Sequence, residues 1–188
     1  AKLKIKKLGG TSVAKTSVPN LDYGRYHALV IGNDRYRHLD NLQTARNDAN
    51  AIANVLKQDY GFEVTLLSNA TRSDMFKALE KYRRKTTKAD NLLIYYAGHG
   101  YLDKEADEGF WLPVDAEENS QLNWIPNADI IRSVSTMNAK HVMVVADSCF
   151  SGTLTRGIKI REKTPDYLQR ISKQKARVAI TSGGEEPV

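Results

Sequence analysis

The sequence predicts an α/β fold, a mostly parallel central sheet with helices on both faces. Three observations carry this prediction. Five short apolar runs recur along the chain, at residues 26–32, 62–68, 91–97, 141–147 and 177–182. Several are apolar at consecutive positions, as strands covered on both faces are. Between them lie stretches with apolar residues at helical spacing, and helices are the usual connection between parallel strands.

Residues 1–25 read as a basic leader or linker, with Lys2, Lys4, Lys6 and Lys7 followed by a stretch rich in Gly, Ser, Thr and Pro. Residues 26–188 read as one domain. YHALVIG is its first strand and ends at Gly32. A helix is expected from about Asn41 to Gln58, its apolar stripe made of Leu42, Ala45, Ala49, Ile52, Ala53 and Leu56. FEVTLLS is the second strand. Thr71 and Asp74 stand at capping-box spacing and open a helix through about Lys85. The third strand is 91–97. A helix at 127–138 should turn Ile130, Ile131, Val134 and Met137 inward. Strands at 141–147 and 177–182 follow. Right-handed crossovers would bring the ends of 91–97 and 141–147 to one edge of the sheet.

Composition narrows the function. With 188 residues, 41% apolar and 27% charged, the chain matches an ordinary globular domain with a real core. No apolar run is long enough to span a bilayer, so no membrane partner is expected. One cysteine excludes an internal disulfide framework and makes a cytoplasmic location the default. The net charge of +6 raises nucleic acid as a partner. The basic residues cluster at the N-terminus and between Arg156 and Arg177 without interleaved aromatics, which argues against one.

The chemistry concentrates at two strand ends, where ligands of open α/β sheets bind. HVMVVADSCFSG carries the single cysteine, Cys149, just past an apolar strand. A lone cysteine is more often a buried, inert apolar residue. NLLIYYAGHGY places His99 between Gly98 and Gly100, where the backbone has freedom on both sides. One His and one Cys, each closing its own strand, make a stronger signal than either alone. His99 lies about 50 residues upstream of Cys149, a spacing found in caspases.

YYAGHG and ADSCFSG together resemble the caspase-like cysteine peptidases, in particular the metacaspase and prokaryotic orthocaspase branch. The similarity runs from about Tyr26 to Val188 and includes ARVAITSGGEEPV. It implies a caspase-like sandwich. In caspases Gln stands two residues before the nucleophile, where this chain has Asp147. The resemblance implies a Cys149–His99 dyad, with Gly100 and Cys149 supplying the N–H groups of an oxyanion hole. It also implies a pocket for a basic side chain lined by Asp147 and by Asp48 of ARNDANA, favouring Arg over Lys. From the residues alone, Asp48 also fits a solvated helix position and Asp147 a turn cap. The ring of His99 finds no Asp or Asn in the sequence that stands out as its orienter. The family often has Ser two residues before the histidine; this chain has Ala97.

The resemblance carries further expectations. Calcium-dependent metacaspases place an acid seven residues after the cysteine, where Arg156 stands here, so no cofactor is expected and calcium dependence is doubtful. Asp103, Glu105, Asp107 and Glu108 read as a charged surface loop rather than a cation site. Caspase-like domains continue past the fifth strand, so one or more C-terminal strands and a small-subunit segment are expected to be missing from this chain. Residues 153–175 read as an intersubunit linker, with Arg156, Arg161, Lys163 and Lys173, and Lys15 in the leader, as candidate autocleavage positions. The expected partners are protein or peptide substrates with Arg or Lys at the cleavage position.

Other chemistries fit less well. A cysteine phosphatase needs Arg six positions after the thiol, where Thr155 stands; a serine-hydrolase elbow needs glycines where Ala146 and Phe150 flank Ser148. His27, His38, His99, His141 and Cys149 show no zinc-ligand spacing. The rival from a different class is a catalytically silent caspase-like scaffold or regulatory module.

Overall fold

The computed structural model describes residues 24–148 and 176–181. In chain order the elements are β1 (Arg25–Gly32), α1 (Ala45–Gln58), β2 (Glu63–Ser68), α2 (Arg72–Lys85), β3 (Asp90–Ala97), β4 (Gly100–Asp103), β5 (Glu108–Trp111), a 3-10 turn (Gln121–Asn123), β6 (Ile125–Pro126), α3 (Asn127–Ser135), β7 (His141–Asp147) and β8 (Ala176–Thr181). The main sheet has the order β2-β1-β3-β7-β8, and every pairing in it is parallel. The five strands read from the sequence are these five, each boundary within a residue.

Two apolar clusters sandwich the sheet. On one face α1 packs Ala45, Ala49 and Ala53 against Ala28, Val30, Tyr95 and Ala97. On the other, Met75, Leu79 and Tyr82 of α2 and Ile130 and Val134 of α3 cover Leu29, Ile31, Ile94, Val142 and Val144. Burying each such aliphatic side chain contributes roughly 1.5–3 kcal/mol. The small residues of α1 let that helix lie close on the sheet. A Cβ on Gly32 would come within 2.6 Å of the Ala49 Cβ.

Three local expectations are corrected. The first helix begins at Ala45 rather than Asn41. The Asn41 side chain instead accepts the Tyr36 N–H (2.8 Å), and the Leu42 N–H donates to the Asp34 carbonyl (3.0 Å). These bonds hold 33–44 as an ordered loop. The third helix stops at Ser135 because the Ser135 and Thr136 hydroxyls donate to carbonyls three residues back. Ile130 and Val134 of that helix point inward, as does Met137 just beyond it, but Ile131 is 47% exposed. The small antiparallel sheet β4-β5-β6 was not foreseen. Its strands of four, four and two residues are too short to show a period. The acidic run from Asp103 to Glu108 is the tip of its first hairpin, and an Asp103 oxygen accepts the N–H groups of Glu105 and Ala106. The expected leader lies outside the described residues apart from its last two positions, and the expected linker at 153–175 lies wholly outside them.

The capping box at Thr71 and Asp74 is present in full. Among the described residues, no helix is long and apolar enough to cross a membrane.

The amino ends of the strands are braced by Asp90. Its fully buried carboxylate accepts from Arg25 (Nε, 2.7 Å), from the Thr87 N–H and hydroxyl (2.7 and 2.8 Å), and from His27 Nε2 (3.2 Å). Burial alone would raise its pKa, but the hydrogen bonds from Arg25, Thr87 and His27 outweigh that and hold it well below the usual carboxylate range. A depressed folded-state pKa means stability that is present above about pH 4 and lost as pH falls toward the folded value. Asp90→Asn should therefore cost about 1.5–3 kcal/mol in urea denaturation at neutral pH. The gap between variant and wild type should begin to narrow below about pH 4 and go on narrowing as pH falls; a gap that persists unchanged to pH 3 would contradict this account.

Candidate active site

The site lies at the carboxyl ends of β3 and β7. These strands pair in register with Ala97 opposite Asp147. Tyr95, Ala97, Val145 and Asp147 share the sheet face that α1 covers, since alternate residues of a strand face the same way. Asp147 is solvent-exposed there, and so is Asp48 on α1. The Tyr95 hydroxyl donates to Asp147 Oδ2 at 3.4 Å, a weak contact. Burial first, then the nearby charges of Asp147 and Asp48, push this phenol up to about 12. One buried hydroxyl thus feels both carboxylates that the sequence assigned to a pocket.

His99 lies two residues beyond the end of β3. Its Nε2 lies 2.8 Å from the backbone carbonyl of Asp40. A carbonyl can only accept, so Nε2 is the donor, and in the neutral ring this leaves the lone pair on Nδ1. The Tyr36 ring packs against the imidazole at a centroid separation of 4.6 Å. Neither neighbour was legible as an orienter. Asp40 acts through its main chain, which has no side-chain signature, and Tyr36 reads simply as one of nine tyrosines.

Gly100 opens β4 opposite Trp111. The Leu112 N–H donates to the His99 carbonyl (3.0 Å). Hydrogen-bonded and non-hydrogen-bonded pairs alternate along an antiparallel ladder, so the next pair, Gly100 with Trp111, is non-hydrogen-bonded. The Gly100 N–H therefore points away from β5. Neither Gly98 nor Gly100 has a positive φ; among the described glycines only Gly24 and Gly61 do. Backbone freedom, the sequence rationale for the two glycines, is not what the fold uses here.

Of the residues selected from sequence, the structure gathers Asp48, Asp147, His99 and Gly100 at this end of the sheet. Cys149 lies outside the described residues, as do Lys15, Arg156, Arg161, Lys163 and Lys173. The last described residue before the cysteine, Ser148, is buried, and its hydroxyl has no hydrogen-bond partner among the described residues.

A parallel five-stranded sheet between helical layers, with a histidine beyond the third strand and an acid ending its neighbour, is the architecture of a caspase-like peptidase domain. The caspase domain family model matches residues 25–183, and the chain belongs to that family. It is 28% identical over 149 residues to Metacaspase-1 of Saccharomyces cerevisiae, an alignment covering 70% of this chain and 34% of the yeast protein. It is also 36% identical over 89 residues to the human mucosa-associated lymphoid tissue lymphoma translocation protein 1, covering 47% of this chain and 10% of that one. The chain thus spans about a third or less of these curated relatives. A crystal structure of a Geobacter sulfurreducens protein superposes with a TM-score of 0.56 at 24% identity, covering 79% of this chain and 59% of the other, a likeness of fold.

The arrangement around Tyr95 has a direct consequence. Replacing Asp48 and Asp147 together by Asn removes two negative charges that disfavour the phenolate. The Tyr95 pKa should fall from about 12 toward the value that burial alone sets, read by NMR titration of carbon-labelled tyrosine. An unchanged titration would mean that the two carboxylates do not face this hydroxyl.

Proposed function

We propose that the chain is a cysteine endopeptidase that cleaves after Arg, and less readily after Lys, by a Cys149–His99 dyad. The observation that carries this reading is the register of β3 with β7. Ala97 stands opposite Asp147, on strands about 4.8 Å apart. His99 is two residues beyond the first and Cys149 two residues beyond the second. The family membership and the acids flanking Tyr95 add to it.

In the proposed reaction the His99 Nδ1 takes the Cys149 thiol proton as sulfur attacks the scissile carbonyl carbon. The C–S bond forms, and the carbonyl oxygen becomes an oxyanion that accepts from the N–H groups of Gly100 and Cys149. The outward-pointing Gly100 N–H suits that task, and the lack of a side chain leaves room for substrate. The imidazolium then gives its proton to the amine as the C–N bond breaks. Water, deprotonated by His99, hydrolyses the thioester and returns the thiol. Asp48 and Asp147 would accept the substrate guanidinium, a planar donor fork that suits paired carboxylates better than an ammonium does. No metal enters this scheme, and calcium independence is part of the proposal. So is self-cleavage after basic residues at Lys15, Arg156, Arg161, Lys163 or Lys173.

A fluorogenic peptide panel with Arg, Lys or Asp at the cleavage position tests the reading. Arg should be turned over fastest, Lys more slowly and Asp not at all. Cys149→Ala should abolish turnover, and His99→Ala should lower kcat by about 10²–10⁴-fold. Asp147→Asn should lower kcat/KM for Arg by about 10- to 150-fold, the equivalent of one charge-assisted hydrogen bond. Turnover after Asp would overturn the pocket, and none on any peptide would favour the silent scaffold.

For self-cleavage, intact-mass spectrometry of wild type and Cys149→Ala should differ at one or more of the five basic positions. Identical termini in both proteins would reject it.

A further inference from the structure

We propose that Tyr36 and Tyr96 act together as positioning residues for His99, clasping its two peptide groups by hydrogen bonds so that the imidazole is held with Nδ1 as the free base. The catalytic consequence rests on the peptidase reading above; the geometry does not.

Both peptide groups of His99 are held by phenols. The His99 N–H donates to Tyr36 Oη at 2.7 Å. The Tyr96 hydroxyl donates to the His99 carbonyl at 2.7 Å and shares its proton with the Leu112 carbonyl at 3.0 Å. One phenol oxygen accepts and the other donates, so the two hydroxyls clasp the residue from both sides of its Cα.

Gly98 makes this clasp possible. A Cβ at that position would sit 2.7 Å from the Tyr96 hydroxyl and 2.8 Å from the Tyr36 hydroxyl. The glycine before His99 therefore provides space for two phenol oxygens. Both phenols stay protonated in the working pH range, because burial pushes Tyr36 up to about 12 and Tyr96 well above its ordinary value. Tyr36 also lies in the loop 33–44 that carries the Asp40 carbonyl. That loop grips His99 twice, by its peptide N–H and by its Nε2. Stacking of Tyr96 on Trp111 (4.4 Å, 4° between planes) holds the second phenol from behind.

The test uses the full chain, with Tyr36→Phe and Tyr96→Phe. NMR of nitrogen-labelled histidine should find wild-type His99 in the Nε2–H tautomer and the Tyr36→Phe ring in a mixture. The pH profile of iodoacetamide alkylation at Cys149 should shift in the same variant, a readout that needs no peptide substrate. With an Arg peptide, kcat should fall by about 10- to 100-fold with KM nearly unchanged, as expected for a misplaced base. A wild-type His99 in the other tautomer, or a Tyr36→Phe protein with unmoved tautomer and alkylation profile, would overturn the proposal. Should the variants fail to fold, the wild type alone decides. The Tyr96 hydroxyl proton and the His99 amide proton must be visible and protected from exchange, and rapid exchange of either rejects the clasp. Wild-type protein that cleaves no peptide while these signals hold would refute the peptidase reading and leave the clasp standing.

Discussion

The in-register parallel pairing of β3 with β7 is the constraint on which the site depends. Parallel pairing sends both chains out at the same edge, and the register of Ala97 against Asp147 sets them level there. A slip of one residue would turn Asp147 from the α1 face to the α2–α3 face. It would also move Val142, Val144 and Ala146, all nearly fully buried, out of the larger core cluster. Packing of these apolar side chains therefore holds in place the acid at the strand's end, which contributes nothing to the core itself.

Much of this was legible in the sequence. Strands covered on both faces need near-continuous apolar residues, and all five such runs are strands of the main sheet. The helix from Arg72 to Lys85 announced itself because its cap is made by side chains, Thr71 and Asp74. The helix at Ala45 was read four residues too early because Asn41 and Leu42 fit a helical stripe. What cancels that fit is their engagement with Tyr36 and Asp34 in a loop, a tertiary pairing that periodicity does not register. The small sheet escaped for a related reason. Its ten residues are held by Trp111, Ile125 and their neighbours packing inward, not by any repeat of their own.

The same division runs through the site. His99, Asp48 and Asp147 could be selected because their side chains carry chemistry. The groups around them are backbone or generic. The Asp40 carbonyl and the Gly100 N–H exist at every position of every chain, and only the fold gives them a direction. Tyrosines look like core filling until two of their hydroxyls are found on the peptide groups of one histidine, in space that a glycine leaves free. Gly98 itself was noticed for the wrong property, conformational freedom, when the fold uses its lack of volume.

The two ends of the sheet show opposite uses of charge. At the amino end Asp90 is fully buried and saturated with donors, so its charge is spent internally on holding β1 to β3. At the carboxyl end Asp48 and Asp147 face solvent, and a phenol that stays neutral, Tyr95, donates to Asp147. A neutral donor can orient a carboxylate without cancelling its field. The chain as a whole is basic, at +6, yet screening limits the reach of an exposed charge to about 8 Å at physiological salt. On the proposed function, a cationic side chain at this edge responds to the two acids beside Tyr95 rather than to the net charge of the molecule. The net charge raised nucleic acid as a partner and the spread of the basic residues argued against it; for the proposed basic substrate, charges within a Debye length outweigh the distant ones.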